Sequence, residues 1–350
     1  MTFSAVVTTV TRQTIVPKIY DQTLNGNVGI MRFFGNASLW RSGFRLDIPI
    51  KTAKNTLGGT VGVADRLSTE RQSTRNTLQF NPKMITKPVV VADIEATLNK
   101  GDERVLELIA VESESVSHDL LDDFADELYG GNGSGNSFDS LLNAADDGTN
   151  FTSYGSLSLR AGAGVLDGYY AASIGTLALS DLSTAYNSVK IGALRPSLLL
   201  ANDTVWTAYE GLLQPTVRAG YQINGLPQVT RTSVTQSANA LRGEIGFDSL
   251  FFRGSPLVAD DKSPAQRLWL VNENYFKFYA INIAEEGYEQ LQLSNATVDG
   301  PVQGPLGRGF NFRVFQAPVD QLAKVGHVVV AGNFACSMPR SCGQLRGITG

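Results

Sequence analysis

The stretch DERVLELIAVESESVSHDLLDDFADELYGG, beginning at Asp102, limits what this chain can fold into more than any other. Val105, Leu108, Ile109, Val116, Leu120, Leu121, Phe124 and Leu128 recur at three- and four-residue spacing, the mark of a helix with one buried stripe. Asp102 follows Gly101 and is placed to cap the first free N–H groups, while Gly130, Gly131, Asn132 and Gly133 offer a left-handed exit. The spacing predicts a helix over 102–129, roughly 42 Å long at ~1.5 Å per residue and more than twice the usual length. Its other face is acidic: from Asp102 to Tyr129 there are ten acidic residues and one base, Arg104. Such a face repels itself unless something basic lies near it, and taken alone it reads as a solvated surface.

With 350 residues, 43% of them hydrophobic, the chain has enough apolar material for one large core or a few modest ones. Charged residues make up only 18% and glycines number 35, which suits many strands and long loops. No apolar run reaches the ~18 residues of a membrane span, and MTFSAVVTTVTRQ lacks the basic-then-apolar order of a signal peptide. The expectation is a protein made in the cytoplasm, with no membrane partner. Cys336 and Cys342 are the only cysteines; the intervening SMPRS makes neither a CxxC pair nor half of a zinc site, so they read as two reduced, small hydrophobic side chains.

Charge is unevenly spread along the chain. Residues 1–100 hold 13 Lys and Arg against 6 Asp and Glu, a net of +7, and the rest hold 16 against 27, a net of −11. A basic arm can bind nucleic acid, yet between Lys51 and Lys87 the only aromatic is Phe80, so the interleaving of bases and rings expected for that role is missing. Complementarity between the front of one copy and the body of another fits better.

Residues 1–30, with TIVPKIYDQTLNGN, read as an arm with one brief helix. Next, Phe44, Leu46, Ile48 and Ile50 alternate with Arg45, Asp47, Pro49 and Lys51 in strand period. Residues 44–87 read as an extended two-stranded excursion without an apolar face of its own, which needs a surface to lie on. Beyond the glycine-rich turn the pattern becomes α+β. SDLSTAYNSVKIG predicts a helix capped by Ser180 or Asp181, and Leu198 to Ala201 a buried strand. DTVWTAYEGLLQPTVRAG predicts a helix capped near Asp203 and ended near Pro215, followed by several strands with no fixed repeat.

Catalytic constellations are scarce. His118 and His327 are the only histidines and cannot form an HExxH or a metal triad; both read as structural. GGNGSGNS lacks the Lys-Ser/Thr of a phosphate loop, and RAGAGVLDG has Asp167 where a dinucleotide site needs its third glycine. Asp122 with Asp123, and Asp260 with Asp261, are paired acids without a partner base. The expectation is a protein with no catalytic residue, cofactor or metal, and a soluble hydrolase is the weakest alternative.

In order, these elements are an arm, a basic two-stranded loop, a long helix and an α+β body. Together with the phrases RPSLLLANDTVWTAYEGLL, LFFRGSPLVADDKSPAQRLWLVNENYFKF and GNFACSMPRSCGQLRGI, this arrangement resembles the major capsid protein of tailed double-stranded DNA phages, the Hong Kong 97-type fold. The resemblance spans nearly the whole chain. It implies a peripheral domain from 31–43, 88–178 and about 265–325, with the long helix as its spine, and an axial domain from 180–260 and about 326–350. It implies a shell of hexamers and pentamers around packaged DNA touched without sequence preference, assembled in the host cytoplasm, with scaffolding and portal proteins and in some cases decoration proteins as partners. Some relatives begin with a long helical scaffolding segment; this chain has none, so scaffolding is expected from a separate protein or a removed piece. An encapsulin-type compartment is the alternative that shares the fold. Under this resemblance Lys51, Lys54, Arg66, Arg71, Arg75, Lys83 and Lys87 of the excursion are expected to meet Glu112, Asp119, Asp122, Asp123 and Asp126 on the spine of a neighbouring copy. A lysine crosslink from Lys51 or Lys54, found in one branch of that family, is not expected over a plain solvated lysine.

Overall fold

The computed structural model describes residues 28–40, 43–63, 66–93, 102–158, 160, 164–220, 249–283, 288–290, 310–316 and 322–349. In chain order the elements are α1 (Val28–Gly35), β1 (Ser38–Leu39), β2 (Leu46–Lys51), β3 (Arg75–Phe80), β4 (Lys83–Ala92), α2 (Asp102–Gly130), α3 (Leu141–Ala144), β5 (Tyr169–Ala171), β6 (Gly175–Thr176), α4 (Leu179–Val189), β7 (Leu198–Ala201) and α5 (Asp203–Gly220). Strands β8 (Ser249–Phe252), β9 (Ser255–Ala259), β10 (Arg267–Val271), β11 (Phe276–Ala280), β12 (Tyr288–Gln290), β13 (Phe310–Gln316), β14 (Ala323–Cys336), β15 (Gly343–Arg346) and β16 (Ile348–Thr349) complete the fold.

The α2 helix is 29 residues long, about 43 Å at 1.5 Å per residue. Leu120, Phe124, Leu128 and Tyr129 are buried along one side, as the stripe requires. The first sheet lies beneath them, in the order β1-β11-β14-β13-β12, with β4 also paired to β14. Its organiser is β14: Ala323–Gly332 pairs antiparallel with β4, and Gly332–Cys336 pairs with β11. Gly332 stands where the partner changes, at φ +152°, and a Cβ there would come within 2.2 Å of the Tyr279 carbonyl oxygen, so only glycine fits. Phe124 is the contact between helix and sheet, its ring 5.1 Å from Phe334 and 5.2 Å from both Phe34 and Phe278.

The second sheet runs β5-β15-β10-β7-β9-β8 and is buried on both faces. In β7, Leu198 and Leu200 face the core shared with α2, while Leu199 and Ala201 face α4 and α5; in β10, Trp269 and Val271 divide from Leu268 and Leu270 in the same way. The two sheets therefore share one core cluster instead of folding as sequential independent units.

Several expectations on boundaries are corrected. β4 starts at Lys83, so Lys83 and Lys87 belong to the first sheet and not to the excursion. The excursion does have an apolar face at its root, where Leu78 and Phe80 are buried and Leu46, Ile48 and Ile50 pack against the core; the alternation of β2 was visible, but what it faced was not. Residues 28–30 of the expected arm begin α1, whose Val28, Ile30, Phe33 and Phe34 are buried; the earlier part of the arm lies outside the described residues. β10, placed in the peripheral part from sequence, pairs with β7 and β15 in the second sheet, and β5 does so through β15. β14 continues in the first sheet well past residue 326. An apolar strand carries no mark of its partner, and long-range pairing decided these cases. α5 runs through Pro215 to Gly220, and its N-cap is Asn202, whose Oδ1 accepts from the Thr204 N–H at 3.1 Å. Helix α4 starts beyond Ala178, with Asp181 reaching back to accept from the Ala178 N–H at 3.1 Å, so Asp181 closes the first turn from inside the helix.

Candidate inter-subunit surface

The root of the excursion is a ladder in which Leu46 opposes Phe80 and Lys51 opposes Arg75. It continues through Thr52 and Ala53, both donating to the Thr74 carbonyl, and Thr56, whose N–H donates to Gln72 Oε1 at 2.9 Å. Beyond that, the described residues of 57–71 are neither helix nor strand. They expose Val61, Val63 and Leu67, the last two at 112% and 72% of full accessibility. Sequence reasoning counted the bases of this loop and missed these three.

Lys51, Lys54, Arg66, Arg71 and Arg75 are exposed, and among the described residues none of them has a carboxylate within ion-pair distance. The two lysines on β4 differ. Lys83 Nζ donates to the Gly135 carbonyl oxygen. Lys87 Nζ lies 2.6 Å from Asp123 Oδ2 of its own chain, and the hydrogen bond from that ammonium to Asp123 raises the lysine pKa, with Asp119 and Asp122 adding to it.

Two further acids of the spine have an ion-pair partner within the chain. Lys262, in the turn after β9, reaches Asp122 Oδ2 at 2.6 Å and Asp126 Oδ1 at 3.2 Å. Burial pulls this ammonium down, and its two hydrogen bonds to Asp122 and Asp126 more than offset that, leaving its pKa raised. Beside it Asp260, 2% exposed, accepts from the Gly29 N–H at 2.8 Å and the Tyr129 hydroxyl at 2.9 Å. Burial raises the Asp260 carboxyl despite those bonds. This knot ties α1, the end of α2 and the second sheet at one point.

Of the twelve residues singled out from sequence, the structure thus joins Lys87 with Asp123 inside one chain and gives Asp122 and Asp126 an internal partner, Lys262. Asp119 stays exposed on the same helix. Glu112 lies on α2, where its side chain is outside the described residues. The sign of the Lys262 contact was legible in DDKSPAQR, but not its distance across the fold. Of the residues set aside as structural, His118 is half-buried on α2, and His327 lies on β14 opposite Pro88 and Arg313. Among the described residues no group of three or more His, Cys, Asp or Glu is placed to hold a metal ion, and no helix is long and apolar enough to cross a membrane.

No protein-family model matches the sequence, and no curated protein is similar to it. Solved structures are. The capsid asymmetric unit of cyanophage A-1(L) matches with a TM-score of 0.71 over 100% of both chains at 13% identity. The chain has the Hong Kong 97-type fold. The SrpI encapsulin of Synechococcus elongatus superposes at a TM-score of 0.59, 13% identity, over 99% of this chain and 96% of that one. The capsid of a native GTA particle does so at 0.58 and 10% identity, over 99% and 98%. In Hong Kong 97-type terms β2–β3 is the extended loop and α2 the spine. Lys87 and Lys262 fasten that spine to its own subunit.

Proposed function

We propose that this chain is the major capsid protein of a tailed double-stranded DNA phage, a structural and non-catalytic subunit that tiles an icosahedral shell as hexamers and pentamers. The observation that carries this reading is the full-length match to the cyanophage capsid subunit, over 100% of each chain. The wide first sheet and its 29-residue spine make a tile that covers area with little mass. We place this tile in the peripheral part, and β7–β10 with α4 and α5 in the axial part.

The loop bases Lys51, Lys54, Arg66, Arg71 and Arg75, with Val61, Val63 and Leu67 among them, lie across a neighbouring copy. There they meet acids of its spine, among them the exposed Asp119. Each exposed ion pair contributes less than ~1 kcal/mol, and repetition over a closed shell makes the sum decisive. Scaffolding, portal and decoration proteins are the partners this reading calls for, and the packaged DNA touches the inner surface without sequence preference. Assembly takes place in the host cytoplasm and the product is the virion capsid.

The encapsulin match supports a second reading, a compartment that encloses a protein cargo. Particles containing this chain, purified from the culture that makes it and treated with nuclease, separate the two. Protected double-stranded DNA supports the capsid; a stoichiometric protein cargo without DNA overturns it in favour of the compartment.

A further inference from the structure

The chain crosses from the first sheet to the second through one short connection, the end of β14, a 3-10 turn at Pro339–Ser341, and the start of β15. Cys336 is the last residue of β14, and Cys342 immediately precedes β15. Both are free and fully buried, with their Sγ atoms 3.8 Å apart. Each backbone is held: the Cys336 N–H donates to the Tyr154 hydroxyl at 2.8 Å and the Cys342 N–H to the Pro339 carbonyl at 2.9 Å.

We propose that Cys336 and Cys342 are a built-in dithiol that a hydroperoxide converts to an intrachain disulfide, stapling the crossing between the two sheets.

Three observations support this. A disulfide needs sulfurs ~2.05 Å apart, so closing the present gap takes a movement of about 2 Å, which side-chain rotation supplies. Ser337, Met338, Pro339 and Arg340, four of the five residues between the cysteines, line a cavity of about 540 Å³ open to solvent, which gives a small oxidant an approach to a pair that is itself covered. The surroundings also make the two thiols unequal. The hydrogen bond between the two sulfurs pulls the Cys342 thiol down, while burial pushes Cys336 well up. The buried guanidinium of Arg160 favours thiolate at both. Its own hydrogen bonds go to neutral oxygens of Leu166, Asn143 and Ala144, and the carboxylates of Asp146 and Asp167 lie near enough to favour its charged form.

We take Cys342 as the attacking thiolate. Its sulfur takes the terminal oxygen of the hydroperoxide, the O–O bond breaks, and the other oxygen leaves as alkoxide, or as hydroxide when the oxidant is hydrogen peroxide, and is protonated. Cys336 then gives up its proton and attacks the Cys342 sulfur; an S–S bond forms and the S–O bond breaks, releasing water. With hydrogen peroxide, two thiols and one peroxide yield one disulfide and two waters, sulfur being oxidised and peroxide oxygen reduced. The ring so closed encloses only Ser337 and Met338 with the turn at Pro339–Ser341, so its effect is local: it fixes how β15 leaves β14.

The test is peroxide titration of the folded full-length chain, in whatever assembly state it adopts, with sulfoxide formation at the exposed Met84 as an internal measure of dose. After quenching, the chain is unfolded in alkylating reagent and digested. The proposal predicts that both cysteines lose alkylation together, in a peptide two hydrogens lighter that reductant restores, and that Cys342→Ser leaves Cys336 alkylatable at the same dose. It is overturned if both thiols stay alkylatable once Met84 is fully oxidised, if sulfinic or sulfonic acids form in place of the bond, or if the bond joins two chains. The readout does not depend on shell formation, so a chain that never assembles yet forms the bond leaves this inference standing.

Discussion

Lys87 on β4 and Asp123 on the spine hold each other within one chain, Nζ to Oδ2 at 2.6 Å. The pair spans the gap between the first sheet and the helix lying on it, so it fixes the helix against its own sheet instead of offering either charge to a neighbour. Both side chains keep a third or more of their exposure, 34% and 44%, and water screens them. Lys87→Glu is expected to lower subunit stability by less than about 1 kcal/mol, and the exchange Lys87→Asp with Asp123→Lys to recover most of that. Urea unfolding of the single variant and the exchange checks it.

Phe124 is the larger anchor. It packs on Phe34, Phe278 and Phe334 at once, and is 1% exposed. Truncation leaves a cavity that three ring-bearing elements cannot close together. Phe124→Ala is expected to destabilise the subunit by about 3–5 kcal/mol, read as a fall in the denaturant midpoint. A loss below 1 kcal/mol would mean that the helix is held chiefly by its charges.

How much of this could be seen in advance follows from what each residue reports. The stripe from Leu120 to Leu128 has helical period, so both the spine and its buried side were legible, because an α-helix satisfies its own backbone. The order of elements was legible for the same reason. Partnership was not. RLWLV and AKVGHVVVAGNFAC both read as strands, yet nothing local says that the first joins β7 or that the second turns from β4 to β11 at Gly332. The charges show the same limit: the acidic spine and the basic front are plain from composition, but Lys262, distant in sequence, neutralises Asp122 and Asp126, and only the fold reveals which acids remain for a neighbour.

Asp260 makes stability depend on pH. Burial raises its carboxyl above the ordinary aspartate value of ~3.9, so the folded chain holds this proton more tightly than the unfolded one. The stabilisation from that proton is fully present below the ordinary value and is lost as pH rises through the raised folded value. Asn at this position does not titrate. The stability of the wild type relative to Asp260→Asn is therefore expected to be most favourable in acid and to shrink toward neutrality, measured by denaturant unfolding across that range. A difference that is flat or grows with pH contradicts this.

The extended loop carries three arginines that have no ion-pair partner among the described residues. Reversing Arg66, Arg71 and Arg75 together to Glu is expected to block or weaken assembly while the subunit stays folded, since the apolar root at Leu78 and Phe80 is untouched. High salt during assembly should mimic part of this, the screening length being ~8 Å at physiological ionic strength. If these bases face packaged DNA instead, the triple variant forms empty shells in normal yield and only genome retention suffers.

The central claim is that copies of this chain close into a shell, and the most direct measurement is sedimentation velocity paired with negative-stain microscopy of the purified full-length chain, across a range of salt and with co-expressed scaffolding protein. The account predicts a fast-sedimenting species seen as closed, thin-walled polyhedra with hexameric and pentameric capsomers. A chain that stays a monomer under every one of those conditions contradicts it.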